Sequence, residues 1–582
     1  MGKRRSARPG RVSGHPAPQA RTSRLEPFLR PLWYLAAALA AWSFGYTIMR
    51  GSDLWWHLAT GRWIANHHAI PRTDPWSFTA GPKRWIVDAW LSDLAYWVWS
   101  QAFGLMSLAW MKWLVMMLIA VVLLAVLVRL CGNHFSAWMA VLFAFAVAAP
   151  FIDIRPQLHS FLCFSLLLLL TVGRDRPSWL IVPLMLVWSN LHAGFTLGII
   201  VLPVVLAPFL LERGQRRRTV LLGSLALLAC LINPNGPGAF VQPILYALRP
   251  SSPFHSIGEW LPPFRPGGIQ SALYPWAIAA FVVGALVLFG AREQKGRWVA
   301  IALGVMTLAM SLQSRRFVPV FALAMTLTVA PALAKLLGPL LRRIPMSISL
   351  AAATALAVAL LLRFPQRSYA FHYLVAEHTF PIETMNFVET NGLHGKVFAY
   401  WNWGGYVHFR TDGALRVFVD GRASALFEDR VYLDYVRVLG GHPGWQEVVE
   451  RSGAEYFLWP RERSDVTRQL LGSGRWRQIY EDAFSVLLVR ADVPVPPLRP
   501  TADSAYRRLA LGVTAFQRQR FDVARQELSK ALEMMPWNAA ACDLLARSDK
   551  MSGNVGRDPT VERCQAMFPV PDREAGPGGM AE

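Results

Sequence analysis

Long apolar runs separated by short polar segments fill the first 364 residues. A membrane-spanning helix needs about 20 mainly apolar residues, and eleven runs approach that length. The predicted spans lie near 31–49, 104–128, 134–151, 157–173, 178–191, 195–212, 219–234, 271–290, 297–313, 317–337 and 346–363. The fifth and sixth are short and closely joined, so nine or ten spans with re-entrant segments are the alternative. The pattern predicts an α-helical polytopic membrane protein with a transmembrane domain over 31–364.

The basic residues between these runs predict the orientation. Lys and Arg concentrate in cytoplasmic loops, and a polar, basic, disordered tail over 1–30 is expected inside. Every other loop is then inside and basic, through Arg129, Arg174, Arg176, Arg213, Arg216, Arg217, Arg218, Arg292, Lys295, Arg297, Arg342 and Arg343. The loops 50–103 and 235–270 and everything after 364 therefore face the outer side. The Trp-rich stretch 84–103 is expected to form an amphipathic helix on the outer membrane surface, and simple anchoring is the plainer role for it.

Composition agrees with a membrane protein. The chain is 54% hydrophobic and 16% charged, whereas soluble domains average roughly 45–50% and 25%. The net charge of +22 lies largely in the tail and the inner loops, so it indicates topology rather than nucleic-acid binding. Five cysteines without a CxxC pair give no support for a zinc or redox motif.

Residues 365–493 change character and predict a small α/β domain on the outer side. Short β-type runs alternate with helical stretches. The runs are Lys396–Tyr400, Arg416–Val419, Tyr456–Leu458 and Phe484–Leu488, and the helices are Ile382–Thr390, Arg430–Leu439 and Gly444–Ser452. Between them, the segments WNWGGY (401–406) and VDGR (419–422) are Gly-containing turns with groups that can contact polar ligands; tight turns between strands are the alternative.

A Pro-rich linker over 494–500 leads to helical residues 501–552. Their Gly, Ala and Phe spacing resembles one tetratricopeptide helix pair, which must pack on the preceding domain or bind a partner because one repeat cannot bury its own face. Residues 553–582 are expected to be disordered. Cys542 and Cys564 would both lie outside the membrane, where a disulfide can form, but a flexible tail around Cys564 argues against one.

Unusual polar residues collect on the predicted outer side. Ionisable groups at membrane depth are costly and usually functional. The candidates are Asp53, His57, Asp74, Arg155, Gln157, His192, Glu259, Arg315, Arg316, Trp403, Asp420 and Arg422, with Asp88 and Asp93 near the aromatic stretch. A carboxylate can act as a general base, and arginine can hold a phosphate leaving group. Any one of these residues could equally cap a helix or pack in a core, but together they predict group transfer from a lipid phosphate donor.

Three segments carry a family resemblance: DLWWHLATG (53–61), PRTDPWSF (71–78), and WGGY (403–406) with DGR (420–422). With the spans and the outer domain, they resemble the GT-C superfamily of integral-membrane glycosyltransferases over residues 31–493, in particular bacterial polyprenyl-phosphate-sugar transferases. The resemblance implies sugar transfer with inversion to an envelope acceptor at the outer face of the inner membrane. It implies a lipid-linked donor and Asp53 as catalytic base. The phosphate would leave towards Arg155, Arg315 or Arg316.

The first outer loop lacks the adjacent acidic pair found in part of that superfamily. We therefore expect neither a metal nor another cofactor, and activity that survives a chelator. Two other functions stay open. One is a non-catalytic scaffold in envelope polysaccharide assembly, with residues 501–552 binding an assembly protein. The other is a polysaccharide polymerase or ligase.

Overall fold

A computed structural model describes residues 26–45, 51–247, 252–267, 269–291, 294, 296–341, 343–362, 380–553 and 559–567. The predicted tail, up to residue 25, lies outside the described residues, as do Arg292, Lys295 and Arg342. Three parts follow along the chain: a helical region (26–362), a sheet region (380–493) and the C-terminal helices (505–567). The domain boundaries given above stay predictions.

Fourteen α-helices are described in the helical region. They are α1 (Glu26–Phe44), α2 (Asp53–His67), α3 (Trp90–Phe103), α4 (Leu108–Cys131), α5 (His134–Ala148), α6 (Gln157–Thr171), α7 (Ile181–Leu191), α8 (Phe195–Leu211), α9 (Arg216–Ala229), α10 (Gly238–Ala247), α11 (Tyr274–Gly290), α12 (Arg297–Gln313), α13 (Val318–Leu341) and α14 (Met346–Leu362). Helix α13 is buried without interruption from Val318 to Ala332. A helix that is apolar on all sides is surrounded by others, and α13 packs against α5, α11 and α12.

Three helical segments of the described chain are long and apolar enough to cross a membrane, by length and composition: Leu105–Cys131, His134–Phe151 and Arg315–Leu341. Six shorter helices, α6, α7, α8, α11, α12 and α14, are also apolar. The protein is thus mainly helical with apolar helices, and the count of eleven spans stays a prediction.

Two boundaries differ from the predicted ones because backbone groups find other partners. The helix expected over 84–103 begins only at Trp90; before it, Trp85 N–H donates to Arg72 O (2.8 Å) and Val87 O accepts from Asn235 (3.0 Å). The span expected over 219–234 ends as α9 at Ala229. Asn233 Oδ1 then accepts the N–H of Asn235 (2.9 Å), a turn that competes with the helix.

The sheet region holds a mixed five-stranded sheet in the order β2-β1-β3-β5-β4. The strands are β1 (Gly395–Ala399), β2 (Leu415–Val417), β3 (Tyr456–Pro460), β4 (Trp476–Glu481) and β5 (Ser485–Arg490), and the helices are α15 (Ile382–Thr390), α16 (Gly404–Thr411), α17 (Asp429–Leu439), α18 (Trp445–Ser452) and α19 (Ser464–Gly472). Strand β1 pairs in parallel with β2 and β3, and β5 pairs antiparallel with β3 and β4. Four strands form at or near predicted runs. The sequence analysis missed β4, since this edge strand buries only its first residue and shows no apolar run.

The loop between α2 and α3 extends the sheet at its β2 edge. Ser77 forms a parallel bridge with Val417, where Val417 N–H donates to Trp76 O (2.9 Å) and Phe78 N–H donates to Val417 O (3.1 Å). An unpaired edge strand exposes backbone donors and acceptors. The segment 76–78 satisfies them on β2 and thereby attaches the sheet to the helical region.

Four C-terminal helices follow: α20 (Ala505–Gln517), α21 (Phe521–Met534), α22 (Ala539–Met551) and α23 (Pro559–Met567). Helix α20 packs on α15 of the sheet region, and just before α20 the carboxylate of Glu383 accepts hydrogen bonds from Thr501 and Ser504. The tetratricopeptide assignment stays a prediction. The tail expected after residue 553 instead contains α23, and Cys542 and Cys564 form a disulfide, because α23 folds back on α22 and brings the two buried sulfurs together.

Candidate active site

Asp53 is the first residue of α2, and a carboxylate is favourable at the positive end of a helix. Arg155 lies just before α6. Its Nη2 stands 3.4 Å from Asp53 Oδ2, with the two side chains 26% and 23% exposed. Asp153 holds the chain just before α2, since its Oδ2 accepts the N–H of Gly51 (2.7 Å). Asp53 is therefore held in place and remains reachable from solvent.

Glu259 joins two guanidinium groups. Arg155 Nη1 donates to Glu259 Oε2 (2.7 Å), and Arg316 Nη1 donates to Glu259 Oε1 (3.1 Å). Arg316 also stacks on Trp260, 4.8 Å from the ring centroid. Its carbonyl accepts from Gln157 (3.4 Å). We call Asp53, Arg155, Glu259 and Arg316 the charged ring.

The charges in this ring balance. Burial opposes ionisation of Arg155, but Asp53 and Glu259 outweigh it and raise the pKa of Arg155. Burial likewise opposes charge on Glu259, and Arg316 and Arg155 lower its pKa overall. All four side chains keep about a quarter to a third of their surface exposed. Two carboxylates and two guanidiniums thus meet at an open surface, where an anionic ligand could replace Glu259 on the arginines.

A buried layer lies next to the ring. His57 Nδ1 and Asp93 Oδ1 are 2.6 Å apart. Burial lowers the pKa of His57 to about 3 and raises the pKa of Asp93 well above its usual range. Burial and the neighbouring Asp93 raise the pKa of Asp88 to about 6. His57 thus serves as a neutral packing partner rather than as an exposed base.

Two further candidates are committed to structural contacts. Nδ1 of His192 lies 2.8 Å from Oγ of Ser160 and accepts the N–H of Gly194 (3.0 Å), and burial lowers its pKa. Arg315 is fully buried. Its guanidinium donates to four backbone carbonyls, those of Pro262, Arg265, Gly267 and Ile269. Arg315 therefore organises the loop that carries Glu259, and both of its Nη groups are occupied.

Three more candidates form a closed network where the loop between α2 and α3 meets the sheet region. Arg422 Nη1 donates to Asp74 Oδ1 (2.6 Å) and Nη2 donates to Asp420 Oδ2 (2.6 Å); all three side chains are at most 1% exposed. His408 Nε2 lies 2.8 Å from Asp420 Oδ2, and Trp76 and Trp85 stack on Arg422. Burial opposes the charge of Asp420, but Arg422 and His408 lower its pKa. This network binds two parts of the protein and has no open face.

Trp403 is also buried, with its ring against Tyr400 at 5.5 Å. The structure therefore brings Asp53, Arg155, Gln157, Glu259 and Arg316 together at an accessible surface. It places the side chains of Asp74, Asp420, Arg422, Arg315 and Trp403 in buried contacts. Among the described residues, no group of three or more His, Cys, Asp or Glu side chains is placed to hold a metal ion.

Sequence reasoning missed Gly405, Gly421 and His408. Both glycines lie against the first turn of α2: a Cβ on Gly421 would lie 2.8 Å from Asp53 Oδ1, and one on Gly405 would lie 3.1 Å from the N atom of Trp56. They belong to the two Gly-containing segments singled out above, of which 401–406 was predicted as a turn but runs into α16, and nothing in either segment indicates α2 as the partner. The sequence would indicate His408 only if Asp420 were first assumed to be buried, since a buried carboxylate needs a hydrogen-bond partner.

No protein-family model matches the chain, and no curated protein matches it by sequence. Its structure is similar to that of the oligosaccharyltransferase AglB from Archaeoglobus fulgidus, solved with an inhibitory peptide and a dolichol-phosphate. The TM-score is 0.56 at 11% identity, over 93% of this chain and 88% of that one. A weaker likeness joins it to ArnT from Cupriavidus metallidurans in the apo state, with a TM-score of 0.46 at 15% identity over 81% and 100% of the two chains. The first of these likenesses shows that this chain has the fold of that oligosaccharyltransferase.

Proposed function

We propose that this protein is a membrane glycosyltransferase that moves a sugar from a polyprenyl-phosphate donor to an envelope acceptor at the outer face of a bacterial inner membrane. The charged ring carries the proposal, because a partly exposed carboxylate and two guanidiniums meet at one surface. The AglB structure supports the donor class, since that protein was solved with a dolichol-phosphate.

The step uses groups of this chain alone. The Asp53 carboxylate accepts the proton of an acceptor hydroxyl as that oxygen attacks the anomeric carbon. The bond from that carbon to the phosphate oxygen breaks on the opposite side, so the configuration inverts. The electron pair stays on the phosphate, which leaves as polyprenyl phosphate and gains charge as it departs.

Arg155 and Arg316 are the groups proposed to receive that charge. Guanidinium binds phosphate through paired hydrogen bonds, and both arginines now share the carboxylate of Glu259. A bound phosphate would take over one or both of these contacts. Arg315 is left out of this role because its guanidinium is occupied by four carbonyls.

Asp53→Asn tests the base. The amide keeps the shape of the side chain but cannot take a proton. Transfer from a panel of polyprenyl-phosphate hexoses and pentoses should therefore fall roughly 100-fold or more. Binding of farnesyl phosphate, a short probe of the lipid phosphate, should be unchanged.

Arg316→Gln should weaken farnesyl phosphate binding about tenfold or more, since hydrogen bonds to charged groups contribute about 1.5–3 kcal/mol.

The matched controls are Asp465→Asn and Arg468→Gln, which alter an exposed pair far along the chain from the ring. Both should leave transfer and binding unchanged. Full transfer by a folded Asp53→Asn protein would rule out Asp53 as the base. A wild-type protein that neither binds farnesyl phosphate nor turns over any donor would favour the scaffold function.

A further inference from the structure

The turn formed by Asp420, Gly421 and Arg422 lies directly on the proposed base. A Cβ added to Gly421 would lie 2.8 Å from Asp53 Oδ1 and 3.6 Å from Trp56 Nε1. Real Cβ atoms essentially never come within 3.0 Å of another heavy atom. Gly421 does not have a positive φ, so the close approach to the Asp53 side chain, and not the backbone conformation, is what favours glycine here.

The buried network holds this turn in place. Asp420 Oδ1 accepts the backbone N–H of Arg422 (2.9 Å) and its Nε–H (2.9 Å). Arg422 in turn reaches Asp74 in the outer loop. Because a buried charge pair is costly to break when one partner is lost, the turn cannot move away from α2 without opening this network.

Helix α2 is held by the sheet region at other points as well. A Cβ on Gly405 would lie 3.1 Å from the N atom of Trp56 and 3.3 Å from Ser52 O, so α16 rests on the first turn of α2. Further along α2, Arg62 pairs with Asp412 at 2.9 Å. The sheet region therefore contacts α2 at its first turn and again at Arg62.

We propose that the sheet region is part of the catalytic centre, with Gly421 as a positioning residue that sets the place of the Asp53 carboxylate and with Asp74, Asp420 and Arg422 holding Gly421 against it. The other oxygen of that carboxylate, Oδ2, faces Arg155, so Gly421 and Arg155 each constrain one oxygen of Asp53. This inference rests on the proposed role of Asp53, and it explains why three charged candidates are buried beside the site and closed to substrate.

Gly421→Ala tests the proposal. The new methyl group must displace Asp53 Oδ1 by a few tenths of an ångström to reach ordinary contact. Since a misplacement of about 1 Å can cost roughly 100-fold in rate, this smaller shift should cost about tenfold. We expect kcat to fall by about that factor while KM for the donor stays within about twofold, because the arginines that bind phosphate are untouched. The matched control is Gly472→Ala, since a Cβ there meets no atom within 4 Å.

A second readout does not depend on turnover. Asp53 is partly exposed, so a water-soluble carbodiimide with an amine should label it, and peptide mass spectrometry measures the yield. Gly421→Ala should change the labelling of Asp53 several-fold, and Gly472→Ala should not. Asp74→Asn loosens the network without adding an atom beside Asp53, and it should shift kcat and labelling in the same direction by less.

Unchanged kcat and unchanged Asp53 labelling in a folded Gly421→Ala protein would overturn the inference. If Gly421→Ala fails to fold, an Asp74→Asn protein with both readouts at the wild-type level would overturn it equally. If the wild-type protein transfers no sugar but the labelling responds as described, the positioning contact stands and the proposed function fails.

Discussion

At the scale of single residues, surroundings separate the charged groups into two kinds. Asp53 and Glu259 keep exposed surface and share partners that a ligand could replace. Asp420 and Arg422 are also paired, but they have lost all contact with solvent. Removing either partner leaves a buried charge without its counter-ion, which lowers the free energy of unfolding by roughly 3–5 kcal/mol. The open groups are thus suited to chemistry and the closed ones to holding the fold.

Asp88 should make stability depend on pH. Its folded pKa is raised from 3.8 to about 6, first by burial and then by Asp93. Because the pKa of Asp88 is higher in the folded than in the unfolded protein, ionisation of this carboxyl lowers the free energy of unfolding. This loss of stability is absent below the unfolded pKa and complete above about pH 6. Asp88→Asn should therefore stabilise the protein at pH 8 by at most about 3 kcal/mol.

Thermal unfolding of detergent-solubilised protein between pH 4 and pH 8 measures this difference. The gain from Asp88→Asn should shrink as the pH falls from about 6 to 4, and Asp465→Asn, which alters an exposed carboxylate, should show no such trend. A gain of equal size at every pH would mean that the pKa of Asp88 is the same in the folded and the unfolded protein.

At the scale of elements, the C-terminal helices depend on a covalent link. Helix α23 is short and follows the undescribed residues 554–558, but Cys564 within it is bonded to Cys542 in α22. The sequence separation is 22 residues, and closing a loop of that size contributes about 3 kcal/mol in the chain-entropy estimate.

Reduction, or the double change of Cys542→Ser and Cys564→Ser, should therefore release α23. Hydrogen exchange in peptides from α23 should become much faster, while exchange in α20 and in the sheet strands stays as before. Reducing the double variant serves as the control and should add nothing. Slow exchange in α23 after reduction would mean that packing against α22 suffices without the bond.

At the scale of the whole molecule, the disulfide and the positive-inside pattern favour the same orientation. Disulfides persist in oxidising compartments, and the basic loops predict that everything after residue 364 lies outside. In a variant without the free Cys131, a cysteine introduced by Ser473→Cys should react with a membrane-impermeant maleimide in intact cells. One introduced by Gly214→Cys, in a predicted inner loop, should react only after permeabilisation. Labelling of the Gly214→Cys protein in intact cells, with the Ser473→Cys protein labelled only after permeabilisation, would contradict the proposed topology.

The sequence by itself determined the apolar helices, most strands of the sheet region and the types of residue available for chemistry. These are local properties: a run of apolar side chains predicts a buried element wherever it lies, and the resemblance carried by residues 53–61, 71–78, 403–406 and 420–422 led to the expectation of a GT-C fold. Strand β4 and helix α23 were not predicted. Most side chains of β4 are not buried, and α23 depends on a bond to a distant cysteine.

Only the tertiary structure decided which polar residues work together. Arg155 meets Glu259 across 104 residues of chain, and Arg422 meets Asp74 across 348. Nothing local distinguishes these arginines, since both are side chains of one type near turns. Their difference is burial and the neighbours that long-range packing supplies: one guanidinium stays open beside Asp53, and the other is enclosed by Trp76 and Trp85. Because pairing and desolvation depend on what folds around a group, its role could not be derived from the order of residues.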